Sequence, residues 1–170
     1  MGAIKLNIEN NLDQKISSFL SKSSIGETYH INFNRNITYE DFLTNKLLII
    51  AAIREGIPYS LFDSIQEYTP FTENDWANFL DISTKSLQRY KAKSSAEYSF
   101  KPIHSEKIIE ITEVTKLGLD VFGNIDKFRL WLKTPNYALG NLKPIDLLKD
   151  SYGKELVMTE LTHINYGIFI

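Results

Sequence analysis

The chain has 170 residues, enough for one well-buried domain or two small ones, and its 43% apolar and 24% charged residues are the balance of a folded globular protein. A formal charge of −2 argues against a protein that coats nucleic acid regardless of sequence, because that mode draws its affinity from many phosphate contacts. Cysteine is absent, so disulfide frameworks and thiolate metal sites are excluded, which fits a reducing cytoplasm.

From the amino terminus, residues 1–37 carry the weakest pattern. No continuous apolar signal core follows Met1, so export is not expected. Leu12, Ile16, Phe19 and Leu20 predict a short amphipathic helix. Residues 29–34 alternate like a strand, but without a hairpin partner they read equally as an extended arm. Thr38, with Asp41 three residues on, predicts a capped helix that continues through the apolar run 47–53 to Glu55 and stops at Gly56-Ile57-Pro58. At seven residues that run is too short to span a bilayer, so it predicts a buried helix and no membrane partner. Pro58 opens the next helix, with Leu61, Phe62, Ile65 and Tyr68 on one face, and Thr69-Pro70 ends it.

Thr72 and Asp75 predict a capped helix that turns Trp76, Phe79 and Leu80 inward. A tight turn at Asp81-Ile82 follows, and Ser83 caps a second helix from Thr84 to about Lys91. Only Leu87 and Tyr90 of that helix suit a core, which leaves Thr84, Lys85, Ser86, Gln88 and Arg89 exposed. This is the punctuation of a helix-turn-helix whose second helix enters the major groove: apolar residues grip the domain while donors and cations face bases and phosphates. Five basic residues (Lys85, Arg89, Lys91, Lys93, Lys101) stand against one acid, Glu97, in the same stretch.

Residues 94–102 read as a connection. Beyond it, Ser105 is expected to cap a long helix with Ile108, Ile111, Thr115, Leu119 and Phe122 on one face, ended by Gly123-Asn124. Further helices are predicted from Ile125 to Lys133, from Pro144 to Lys149 and from about Tyr152 to Tyr166, the last carrying Val157, Leu161 and Ile164. The fold class is therefore all-α: a partly ordered arm over 1–37, a helix-turn-helix module over 38–97 and a small helical module over 98–170.

No catalytic grouping emerges. His30, His104 and His163 lack metal-ligand spacing, and there is no Gly-rich phosphate loop, GxSxG elbow or cysteine nucleophile. No enzyme, cofactor or metal is expected. At the other end of the chain, Gly167 is suited to close the last helix and turn the chain away, leaving Phe169 and Ile170 as an apolar tip fit to dock on a protein.

Several blocks, in order, resemble the Xre/MbcA/ParS-type antitoxins, two-module proteins that pair with RES-domain toxins in type II toxin–antitoxin systems. They are Gly56-Ile57-Pro58, Phe71-Thr72 and 76–89, then Val121-Phe122-Gly123, Trp131-Leu132, Thr134-Pro135-Asn136, Ala138-Leu139-Gly140, 144–148, Gly153 and 166–169. The resemblance implies a cytoplasmic antitoxin that neutralises an NAD-consuming RES-domain toxin by covering its active-site entrance with the C-terminal helix and tail. Tyr152, Lys154, Met158, Tyr166, Gly167, Phe169 and Ile170 would supply that interface. It also implies repression of the protein's own operon through Ser83, Thr84, Lys85, Ser86, Gln88, Arg89 and Lys91. A homodimer or a higher assembly with the toxin would present two copies to an operator DNA repeat. Residues 1–37 have no family role, and Asp81 stands where Gly is usual, tolerating the left-handed conformation while bringing an acid close to the DNA. Two other readings stay open: a stand-alone transcriptional repressor whose C-terminal module dimerises, and an adaptor with a vestigial DNA motif.

Overall fold

Local punctuation divides the chain into eleven α-helices among the residues described in the computed structural model, which are 2–32, 36–93 and 98–168, with residues 2–8 described by their backbone alone. They are α1 (Gly2–Lys22), α2 (Ile25–Thr28), α3 (Tyr39–Thr44), α4 (Lys46–Glu55), α5 (Tyr59–Tyr68), α6 (Glu73–Phe79), α7 (Thr84–Ala92), α8 (Pro102–Phe122), α9 (Ile125–Lys133), α10 (Pro144–Leu147) and α11 (Ser151–Asn165). Pairing outside helices consists, among the described residues, of two isolated bridges, Pro58 to Ser99 and Asn136 to Leu142. The protein is all-α, as the periodicity predicts, and no described helix is long and apolar enough to cross a membrane. The chain forms two compact units that interleave in sequence, Met1–Tyr68 with Lys85–Glu106 and Thr69–Thr84 with Lys107–Ile170.

In the first unit, α1 is longer than the short helix expected, because no Gly or Pro interrupts residues 3–22. It packs along α5 and against α3, with Leu12, Ile16 and Leu20 buried at i, i+4, i+8 spacing. Polar ties fix its register: Asp13 Oδ1 accepts the Tyr39 N–H at 2.6 Å and Ser17 Oγ donates to the Ile37 carbonyl at 3.0 Å. The expected strand does not form over 29–32, because His30 adopts φ 53° and breaks the extended backbone; residues 33 and 34 lie outside the described residues.

The single helix expected from Thr38 to Glu55 is two. The Thr38–Asp41 capping box is present, but Asn45 leaves helical geometry (φ −100°, ψ 99°) and its Oδ1 accepts the N–H groups of Leu47 and Leu48, starting α4 afresh. An Asn side chain that satisfies two orphan donors stabilises a new N-terminus at the expense of helix continuity. Gly56 then closes α4 with φ 94°, and a Cβ there would come within 2.6 Å of the Phe100 carbonyl oxygen.

That close approach belongs to a clamp. Phe100 N–H donates to the Ile57 carbonyl and Tyr59 N–H to the Tyr98 carbonyl, both at 2.8 Å, on either side of the Pro58–Ser99 bridge. Ser105 completes it. Expected as a helix cap, this residue lies inside α8, which already begins at Pro102; it is fully buried, accepts the Ile57 N–H at 2.9 Å and donates to the Phe100 carbonyl at 3.2 Å. Pro suits the first helical position, where no N–H is needed, so the cap falls upstream of the serine. Tyr59, Phe62 and Phe100 pack edge-on or stacked around the clamp, with centroids 5.0 to 6.2 Å apart.

The second unit is centred on α8, whose Ile108, Ile111, Val114 and Thr115 have no exposed surface. Gly118 admits the Phe128 ring, which any side chain at 118 would strike, and Phe122, Phe128 and Trp131 lie ring to ring at 5.7 to 6.2 Å. Asn124 caps α9 through the N–H groups of Asp126 and Lys127. Replacing Ser105 by Ala strips a buried N–H of its acceptor and should cost about 1–3 kcal/mol of unfolding free energy in urea titration.

Candidate functional site

The helix-turn-helix segment is built on a second capping box, in which Thr72 Oγ1 accepts the Asp75 N–H and Asp75 Oδ2 accepts the Thr72 N–H at 2.8 Å. Trp76, fully buried, donates its indole N–H to Thr69 Oγ1 at 3.3 Å and meets Phe71 and Phe79 edge-on. At its far end α6 closes on a Schellman turn: Ile82 N–H reaches back to the Ala77 carbonyl at 3.0 Å and Asp81 N–H to the Asn78 carbonyl at 3.2 Å. Asp81 holds the left-handed position, with φ 52°, as the resemblance implies. Its carboxylate lies 3.6 Å from Lys149 Nζ, an open pair worth about 0.2–1 kcal/mol.

Helix α7 then presents two unlike faces. Leu87 is buried, while Tyr90 is half-buried, stacked on Tyr98 at 4.0 Å and edge-on to Phe100 at 5.9 Å. Burial, then the hydrogen bond with Tyr90, raises the Tyr98 phenol well above its ordinary pKa, so Tyr98 stays neutral. On the other face Lys85, Gln88 and Arg89 stand exposed at i, i+3, i+4 spacing, with Lys91 exposed beside them. Ser83 is exposed, whereas Thr84 and Ser86 are half-buried. The exposed face offers donors and positive charge in the arrangement that phosphate oxygens and base edges accept.

On α11, Val157 and Leu161 are fully buried, and Gly153 is buried where its Cα passes the Leu147 carbonyl so closely that a Cβ would collide with it. Lys154 faces inward with them: its Nζ meets Glu113 Oε2 on α8 at 2.7 Å, the two side chains being 17% and 16% exposed. Glu160 is held by Asn136 Nδ2 at 3.3 Å and approaches His163 Nδ1 at 3.7 Å. The outward face carries an apolar stripe among polar residues such as Glu155 and Thr162. Tyr152 (84% exposed), Leu156 (55%) and Tyr166 (74%) run at helical spacing with Thr159 and half-buried His163 between them. Met158 is half-buried on the flank. Gly167 ends the helix with φ 68°, and Ile168 N–H returns to the His163 carbonyl at 2.8 Å, again a Schellman turn.

Of the residues named for a protein interface, the structure brings Tyr152 and Tyr166 onto one outward stripe and puts Gly167 at its end, gives the Lys154 ammonium to Glu113, and leaves Phe169 and Ile170 outside the described residues. Sequence reasoning missed Leu156, four residues after Tyr152 and therefore legible by the same period, and the exposed Tyr137 and Leu142 around the Asn136–Leu142 bridge, which carry no periodic signal. No cluster of three or more metal-ligating side chains occurs among the described residues.

Residues 117–167 match the family described as the antitoxin Xre/MbcA/ParS C-terminal toxin-binding domain, and residues 48–112 match the antitoxin Xre-like helix-turn-helix domain. The antitoxin Xre of Photorhabdus laumondii subsp. laumondii is 29% identical over 119 residues, spanning 69% of this chain and 78% of that protein. The fold is similar to a chain in the crystal structure of the M. tuberculosis MbcT-MbcA toxin–antitoxin complex, with a TM-score of 0.51 and 22% identity over 64% of this chain and 94% of that one. Helices α1 to α3 precede both matched segments.

The seat of α11 is open to direct test. A methyl group at Gly153 must push α11 off the Leu147 carbonyl, so Gly153→Ala should lose about 1–3 kcal/mol, read as a melting temperature several degrees lower by circular dichroism.

Proposed function

Because the chain belongs to the Xre/MbcA/ParS antitoxin family, we propose that it neutralises a cognate RES-domain, NAD-consuming toxin by covering that toxin's active-site entrance with α11 and the tail beyond it. The observation that carries this reading is the outward apolar stripe Tyr152–Leu156–Tyr166, which leads directly to the Gly167 turn. Large aromatic side chains standing in water on a helix whose inner face is already full are anchors for a partner surface. The mode is a helix laid into a groove, with anchors at i, i+4 and i+14. Gly167 turns the chain at the helix end, where Ile168 is half exposed, and Phe169 and Ile170, outside the described residues, are assigned to the plug by their apolar character. Met158 borders the stripe, and Lys154 contributes from behind by holding α11 against α8 through Glu113.

No step of catalysis falls to this protein in that scheme. It acts by occlusion, in the cytoplasm, where both toxin and operator would be met. Within it, residues 38–97 serve DNA and residues 98–170 serve the toxin, with residues 1–37 adding a helix that packs along α5. We assign operator binding and autorepression to the exposed face of α7: Lys85, Gln88, Arg89 and Lys91, with Ser83, Thr84 and Ser86 at its start. One such helix reads too few base pairs for specificity, so two copies act together, as a homodimer or through the toxin.

Two variants separate the activities. Tyr152→Ala with Tyr166→Ala should weaken toxin binding about 10- to 100-fold in calorimetry and abolish growth rescue on co-expression, with operator binding intact; unaltered neutralisation and intracellular NAD would remove α11 from the interface. Lys85→Ala with Arg89→Ala should lower operator affinity and flatten its salt dependence by about 0.9 in log–log slope per lost contact, while toxin inhibition persists. Intact DNA binding without any toxin binding by the unaltered protein would favour a stand-alone repressor instead.

A further inference from the structure

The second compact unit contains both the turn that leads into α7 and the segment that leads into α11, and they meet at Lys149 and Asp81. What precedes Lys149 is rigid. Leu148 is fully buried and its carbonyl accepts Lys107 Nζ at 3.3 Å, so the backbone from which Lys149 projects is fixed. Its charged end remains in water: the Lys149 side chain is 47% exposed and that of Asp81 is 89% exposed. An ion pair so open adds little to folding, so stability gives no account of a cation held at this point.

Position gives one. Thr84, the first residue of α7, belongs to the same unit and follows Asp81 by three residues, within about 11 Å of chain. The start of the second helix of a helix-turn-helix is the end that reaches the duplex, so a cation beside this turn stands where a sugar–phosphate strand would pass. An ammonium is a compact point charge with rotatable donors, suited to a phosphodiester oxygen rather than to the edge of one base. Asp81 offers it, in the free protein, an anionic oxygen of the same kind.

We infer that Lys149 is a DNA-phosphate contact, supplied beside the turn that ends α6 by the segment matched to the toxin-binding domain, and that Asp81 holds its ammonium ready in the free protein and yields it to the duplex. The inference rests on the DNA reading of α7 and extends it. It also changes the meaning of the acid at the turn, since a lone Asp81 would repel the duplex whereas the pair carries no net charge.

The test is fluorescence anisotropy of the full chain from 50 to 200 mM salt, on DNA upstream of its own reading frame and on a scrambled duplex of equal length. Lys149→Ala should reduce the log–log salt slope by about 0.9 per bound copy, so its deficit shrinks about 3.5-fold across that range, on both duplexes alike. Lys149→Arg should restore the slope, Asp81→Asn should tighten binding, and toxin neutralisation by Lys149→Ala should equal that of the unaltered protein. A Lys149→Ala protein with an unchanged slope overturns the inference while leaving the α7 reading in place. So does one that binds DNA normally but fails to neutralise, which would put the lysine in the protein interface. If the unaltered protein binds neither duplex, the DNA reading fails and this contact fails with it.

Discussion

The short antiparallel pairing of residues 57–59 with 98–100 is the constraint from which the first unit follows. Chain that leaves α4 and chain that arrives at α8 must both satisfy their backbone polar groups, and they do so on one another through Ile57–Phe100 and Tyr59–Tyr98. Gly56 is required because the Phe100 carbonyl occupies the space of a side chain, and Ser105 is required because one Ile57 donor would otherwise be buried unmade. The aromatic cluster around Phe100 then reaches α7 through Tyr98 and Tyr90. An exposed cationic helix is thus held by a half-buried, stacked aromatic pair at its back.

The two outward helical faces differ in kind, and the difference is chemical rather than geometric. On α7 the exposed side chains are Lys, Gln and Arg, which bind oxygen-rich surfaces and are poor at excluding water. On α11 the large exposed side chains, among polar neighbours such as Glu155 and Thr159, are Tyr and Leu, which gain free energy by leaving water. The helix before α7 and α11 itself end in the same Schellman turn, but with Asp81 in one and Gly167 in the other. Glycine takes φ 68° freely, whereas an aspartate at φ 52° costs about 1 kcal/mol. A residue kept at that cost is consistent with its carboxylate being used, here by Lys149.

Charge is also spent unevenly. A net −2 conceals an α7 whose Lys85, Arg89 and Lys91 stand exposed to solvent and an α8–α11 contact in which Lys154 meets Glu113 with little solvent between them. The first arrangement keeps charge available over a screening length of about 8 Å at physiological salt. The second uses charge for register: Lys154 meets Glu113 from the residue next to Gly153, which lies against the Leu147 carbonyl.

Much of this was legible in the residues alone wherever the controlling interaction is local. The Thr38–Asp41 and Thr72–Asp75 boxes, the Gly56 and Gly123 stops, the tight turn at Asp81 and the polar face of α7 all depend on neighbours a few positions away. Tertiary structure decided the rest. Ser105 reads as a cap but serves as a buried bridge because its partner, Ile57, is 48 residues distant. Lys154 reads as exposed until Glu113, 41 residues earlier, takes its ammonium. Lys149 acquires its surroundings only when α8 and the α6 turn are placed. Spacing along a chain reports which side chains share a face of one helix; what that face meets is set by segments whose distance in sequence leaves no periodic trace, and only folding brings them within reach of a hydrogen bond or an ion pair.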